Sequence, residues 1–104
     1  MARKMYIMVK SEVDLGHALL ACAHASLACY LDNHLDPEMQ KYVKESFRKV
    51  VCKVDNQQFE QAKIHMQLGD RVMTESGLGG MEVAIVFKPR EEWHKFFQFL
   101  PLYK

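Results

Sequence analysis

The sequence predicts a three-layer α/β domain in which helices cover both faces of a four-stranded mixed sheet. Three observations carry that prediction. Short apolar runs rich in strand formers recur along the chain, segments with helical spacing and capping residues separate them, and the longest of these segments, Leu15 to Leu31, holds no Asp, Glu, Lys or Arg. At 104 residues the chain (1–104) makes a single domain. Dimerisation would help so small a chain by adding buried surface. Any disorder is expected within the first three residues only.

Lys4 to Lys10 (KMYIMVK) reads as the first strand. The uncharged run that follows, LGHALLACAHASLACYL, consists largely of strong helix formers and predicts a helix over Gly16 to Asp32. A helix so poor in charge is expected to be covered by protein on most sides. It is not read as a membrane span, because it is rich in Ala, carries two imidazoles and follows a strand. Asp36-Pro37-Glu38 supplies an N-cap, a first-turn proline and a first-turn acid for a second helix to about Phe47. Lys49 to Asp55 is the second strand. Asn56 caps a third helix that runs to about Leu68 and ends at Gly69, and a brief strand spans Arg71 to Thr74. Met81 to Phe87 is the fourth strand, and Trp93, Phe96, Phe97 and Leu100 have the i, i+3, i+4, i+7 spacing of a last helix.

Two helix-containing crossovers make the first three strands parallel, and the short Glu75 to Gly80 turn makes the last one antiparallel. The segments after the first three strands then emerge at one edge of the sheet. They carry Gly16-His17, Asp55-Asn56 and Glu75-Ser76-Gly77, and ligands of open α/β sheets bind outside such strand ends.

A formal net charge of +1 excludes a global electrostatic drive toward nucleic acid, so binding would need a local patch. Lys41, Lys44, Arg48 and Lys49, followed by Lys53, form the candidate, with 41, 44 and 48 on one helical face. Three cysteines are an odd number, and Cys22 and Cys29 stand about 10 Å apart along one helix, too far to bond. Reduced thiols and a cytoplasmic setting follow. The same distance separates His17 from His24, so the two cannot share one metal ion, and neither a metal nor a cofactor is expected.

His17 falls in the first helical turn, where the dipole disfavours a second positive charge and an imidazole can accept a proton. Glu75, converging on it, could fix its tautomer. His24 lies seven residues further on the same face among Ala21, Ala25 and Ala28, whose small side chains leave a groove.

The residues resemble the archaeal and eukaryotic (type 2) peptidyl-tRNA hydrolases. Ala21-Cys22-Ala23-His24-Ala25 is similar to that family's Gln-Cys-Ser-His-Ala helix segment, after a first strand and a loop ending in Gly16. Val50 to Asn56 resembles its second strand and helix cap, and Glu75-Ser76-Gly77 stands where Asp-Ala-Gly is usual. The resemblance implies cleavage of the ester between a peptide and tRNA, with peptidyl-tRNA as partner. His17 and Glu75 would position or activate water, Gly16, His24, Asp55 and Gly77 would contact substrate, and cations near the rim would hold tRNA phosphates. His17 replaces the family's lysine, Ala21 its glutamine and Glu75 its aspartate, while Leu78, Gly79 and Gly80 occupy a shortened loop that lacks the family's threonine and glutamine. Losing such hydrogen-bond donors, each worth about 10²–10³ in rate, predicts reduced or altered activity. The alternative is an inactive member of the fold that binds a small molecule or a protein through the groove at His24, or through a stripe of Trp93, Phe96, Phe97, Phe99 and Leu102. His17 and Glu75 in hydrogen-bond reach, or one water apart, in an open cleft favour the hydrolase, and a filled or closed cleft favours the binding module.

Overall fold

The computed structural model describes residues 3–104 and contains β1 (Lys4–Lys10), α1 (Leu15–Asn33), α2 (Pro37–Glu45), β2 (Arg48–Val54), α3 (Asn56–Ile64), β3 (Arg71–Glu75) and β4 (Met81–Arg90). Two short 3-10 turns, Ser76–Leu78 and Lys95–Phe99, complete it. The four strands form one mixed sheet in the order β2-β1-β4-β3.

Only β1 and β2 pair in parallel, from Lys4 opposite Arg48 to Lys10 opposite Val54. The expected set of three parallel strands is therefore corrected to one parallel pair. β4 lies between β1 and β3 and is antiparallel to both. The reason is burial: Val83 to Phe87 are all buried, and a strand buried on both faces belongs in the middle of a sheet, whereas no residue of β3 is fully buried. Two antiparallel steps return β3 to the direction of β1, so β1, β2 and β3 still end at one edge.

Alternation along β1 divides the interior in two. Met5, Ile7 and Val9 face α1 and α2 with Val83 and Val86, while Tyr6 and Met8 face α3 and the C-terminal aromatic residues with Ile85 and Phe87. Met39 of α2 and Phe59 of α3 are fully buried on their respective faces, each stabilising the fold by about 1.5–3 kcal/mol. α1 turns Ala18, Ala21, Ala25 and Cys29 toward the sheet, and these small residues let it lie close. Its opposite side is bare. Leu15, Leu19, Leu27 and Leu31 are exposed, so the expectation of cover on most sides gives way to a single buried stripe.

The predicted last helix is also corrected. After β4, Trp93 sits in a loop and only the 3-10 turn follows, because the few residues between Arg90 and Pro101 cannot offset the cost of helix nucleation. The spacing instead serves an aromatic cluster, with Trp93 4.5 Å from Tyr6 and Phe97 4.9 Å from Phe87 between ring centres. Phe97 is buried and Trp93 and Phe96 half-buried, which leaves Phe99 and Leu102 exposed and breaks the expected stripe. The tail then covers the outer edge of β2, as the Lys53 amide donates to the Pro101 carbonyl and the Tyr103 amide to that of Val51.

Smaller differences concern ends. α2 stops at Glu45 and Phe47 takes a left-handed φ of 54°, so Arg48 enters β2 and shares no helical face with Lys41 and Lys44. α3 stops at Ile64 rather than Leu68. Arg3, within the stretch expected to be disordered, is held by Glu38 and Glu91, both at 2.6 Å; Met1 and Ala2 lie outside the described residues.

Candidate functional site

The carboxyl ends of β1, β2 and β3 bring together the segments singled out in the sequence. Asp14 closes the loop after β1 and caps α1, its Oδ2 accepting from the His17 backbone amide at 3.2 Å. Its other oxygen meets His17 Nδ1 at 2.7 Å. The Asp14 carboxyl is held below the usual carboxylate range, chiefly by this side-chain hydrogen bond. Asp14, not Glu75, fixes the histidine ring.

Glu75 ends β3 and caps the following 3-10 turn, with Oε2 accepting from the Gly77 amide at 2.9 Å. Gly80 returns its amide to the Glu75 carbonyl, and Gly79 and Gly80 both have positive φ, a conformation that favours residues without side chains in so tight a reversal. Gly77 has no positive φ; its missing side chain matters as space. A methyl group there would lie 3.3 Å from Glu75 Oε2 and 3.5 Å from His17 Nε2. The two side chains thus border one small gap, open to solvent, while making no hydrogen bond to each other.

The other predicted site residues take up varied positions. Gly16 is in the first turn of α1, where a methyl group would make only ordinary contact with Asp14. Asp55 follows β2 and caps α3 in a reciprocal capping box with Gln58, at 2.8 and 3.0 Å. His24 is exposed two turns along α1 from His17. The alanine groove expected around it is absent, because Ala21 and Ala25 pack against the sheet. An open apolar cleft of about 420 Å³ lies instead between α1 and α2, lined by Ala23, Leu27, Tyr30, Tyr42, Val43 and Phe47. Leu78, in a position where the resembling family is polar, packs against the α1 side of the core.

The basic candidates separate into two groups. Lys41, Lys44, Arg48 and Lys49 gather near the amino end of β2, opposite the start of β1 and away from His17. Lys10 and Lys53 stand near the carboxyl ends of β1 and β2, lying over the Phe59 and Tyr103 rings. All three cysteines are free thiols, and burial pushes those of Cys29 and Cys52 up to about 11, as suits inert packing residues. Among the described residues no group of three or more His, Cys, Asp or Glu is placed to hold a metal ion. No helix there is long and apolar enough to cross a membrane.

Asp14 is the residue of this cluster that sequence reasoning missed. Its signal was local: an aspartate at the N-cap position three residues before a histidine. Nearly the whole chain, residues 3–102, matches the family described as Peptidyl-tRNA hydrolase PTH2. A comparison with curated proteins finds no match.

Proposed function

Because the chain belongs to the peptidyl-tRNA hydrolase PTH2 family, we propose that it hydrolyses the ester bond of peptidyl-tRNA, with His17 and Glu75 as catalytic residues in a single domain over 1–104. The observation that supports this is the gap over Gly77, bordered at once by His17 Nε2 and Glu75 Oε2. A water there would lie within reach of a base and a carboxylate, as activation for attack on an ester requires. Gly16 and Gly77 leave room for the substrate backbone, Asp55 borders the same edge, and exposed His24 contacts substrate further along α1. Lys10 and Lys53 attract the tRNA phosphates. Activity is reduced or altered relative to family members, since Leu78 and the glycines supply none of the side-chain donors that would orient the ester carbonyl.

The protein works in the cytoplasm as a homodimer in this reading. The bare side of α1 supports a second copy over a nucleic acid there, because Leu15, Leu19, Leu27 and Leu31 offer apolar surface and no cation. Sedimentation of wild type against Leu27→Arg tests the dimer, which the charge should dissociate.

The apolar cleft between α1 and α2 favours a second reading, a non-catalytic binding module for a small apolar molecule or protein segment. Labelled peptidyl-tRNA separates the two. Turnover by wild type that is lost in His17→Ala and Glu75→Gln supports the hydrolase; no turnover by wild type, or full turnover by both variants, sinks it.

A further inference from the structure

We propose that Asp14 is the positioning residue of this site, holding His17 in the tautomer that turns the Nε2 lone pair toward the gap over Gly77. The inference rests on the hydrolase reading and extends it to a residue that the lysine of the resembling family would not need.

Capping alone does not account for the geometry. One carboxylate oxygen satisfies the His17 backbone amide at 3.2 Å, which is the whole of an N-cap's task and one that Ser, Thr or Asn performs as well. The second oxygen meets the Nδ1 of the same residue at 2.7 Å. A carboxylate only accepts, so the proton between them belongs to Nδ1. In the neutral ring Nε2 is then unprotonated, and Nε2 is the atom that comes within 3.5 Å of the position a Gly77 methyl would fill.

The chemistry balances with the groups present. Nε2 takes a proton from water as the water oxygen bonds to the ester carbonyl carbon. The resulting imidazolium stands between two carboxylates, Asp14 on its own helix start and Glu75 from β3 across the gap. As the bond from that carbon to the tRNA oxygen breaks, the Nε2 proton passes to the leaving oxygen. The products are a peptide acid and a tRNA hydroxyl, and the ring is neutral again. Asp14 never touches substrate; it fixes the ring and offsets its transient charge.

The test compares wild type with Asp14→Asn, which keeps a capping oxygen but can present an N–H to Nδ1. Two readouts are taken: the ¹⁵N shifts of the His17 ring without substrate, and the pH dependence of kcat on labelled peptidyl-tRNA. Expected are an Nδ1–H tautomer in wild type, an Nε2–H tautomer in the variant, and a fall in kcat of about 100-fold or more across the pH range in the variant with KM little changed. A variant profile that superposes on wild type, or an Nε2–H tautomer in wild type, overturns the role of Asp14. Absence of turnover by wild type overturns the hydrolase reading instead, and the ring shifts still report whether Asp14 sets the tautomer.

Discussion

The two ends of the sheet are built for different tasks. At the carboxyl end most acceptors are satisfied locally, Asp14 by His17, Asp55 by the Gln58 amide and Glu75 by the Gly77 amide, each across two or three residues, and one longer tie, Lys63 to Glu82 at 2.7 Å, joins α3 to β4. At the amino end the ties are long in sequence. Arg3 joins Glu38 and Glu91, Lys88 joins Asp36, and Arg90 joins Asp70, whose side chain is fully buried and also accepts from the Gln67 and Lys88 amides. Local caps leave one face of each functional group free, whereas the distant pairs consume theirs in joining elements. The end that carries candidate chemistry has one such long tie, Lys63 to Glu82, whereas the amino end, away from the gap over Gly77, has several.

The sharpest break of this comparison is His17→Ala, which should lower kcat by about 10²–10⁴-fold, while Arg48→Glu at the other end leaves kcat unchanged. Equal losses in the two variants would mean that the ends are not separate in function. Gly77→Ala comes next. Its backbone conformation tolerates alanine, so circular dichroism and Tm should stay close to wild type, while the methyl group fills the gap between Glu75 and His17 and, if that gap holds the attacking water, lowers kcat by about 10²-fold; a fully active alanine variant would mean that the gap is not used.

For tRNA, Lys53→Glu should weaken binding and reduce the slope of log affinity against log salt by about 1 for each phosphate the protein no longer neutralises, and Lys44→Glu should leave both unchanged. The reverse result would move the nucleic-acid surface to the amino end. The smallest expected effect concerns acid. The Asp36 carboxyl is held below the usual range, first by its hydrogen bond from Lys88, so its contribution is present above the unfolded value of about 3.9 and is lost as pH falls through the lower folded one. Asp36→Asn should therefore cost about 1 kcal/mol at pH 7 and progressively less as pH falls below the unfolded value, a narrowing that denaturant titration at neutral and acid pH would detect.

Much of the fold was legible because its causes are local. β1 has the bounds read from KMYIMVK and α2 starts as Asp36-Pro37 predicts, whereas the cap of α3 is Asp55 rather than the expected Asn56, because the aspartate oxygen accepts from the Gln58 amide. Strand order was harder, although a signal existed: MYIMV and VAIVF are continuous apolar runs suited to central strands, while RVMTE interrupts its apolar residues as an edge strand does. The aromatic spacing from Trp93 to Leu100 misled because period alone does not show whether enough residues remain to form a helix. In the site, the approach of His17 to Glu75 was readable from strand direction, but the partner of each was not. The nearest hydrogen-bond acceptor lay three residues away in Asp14, and the nearest donor to Glu75 was a backbone amide.

Read from the sequence alone were therefore the four strands, the three longer helices and the identity of the groups at the strand ends, but not the end of the chain, since propensity, capping and crossover handedness act over a few residues. Long-range packing set the rest: β4 enters between β1 and β3, α1 buries its alanines against the sheet and leaves leucines bare on the other side, and a missing side chain at Gly77 opens the space between His17 and Glu75. Those outcomes depend on which buried surfaces compete for the same neighbour, a contest among residues far apart in the chain.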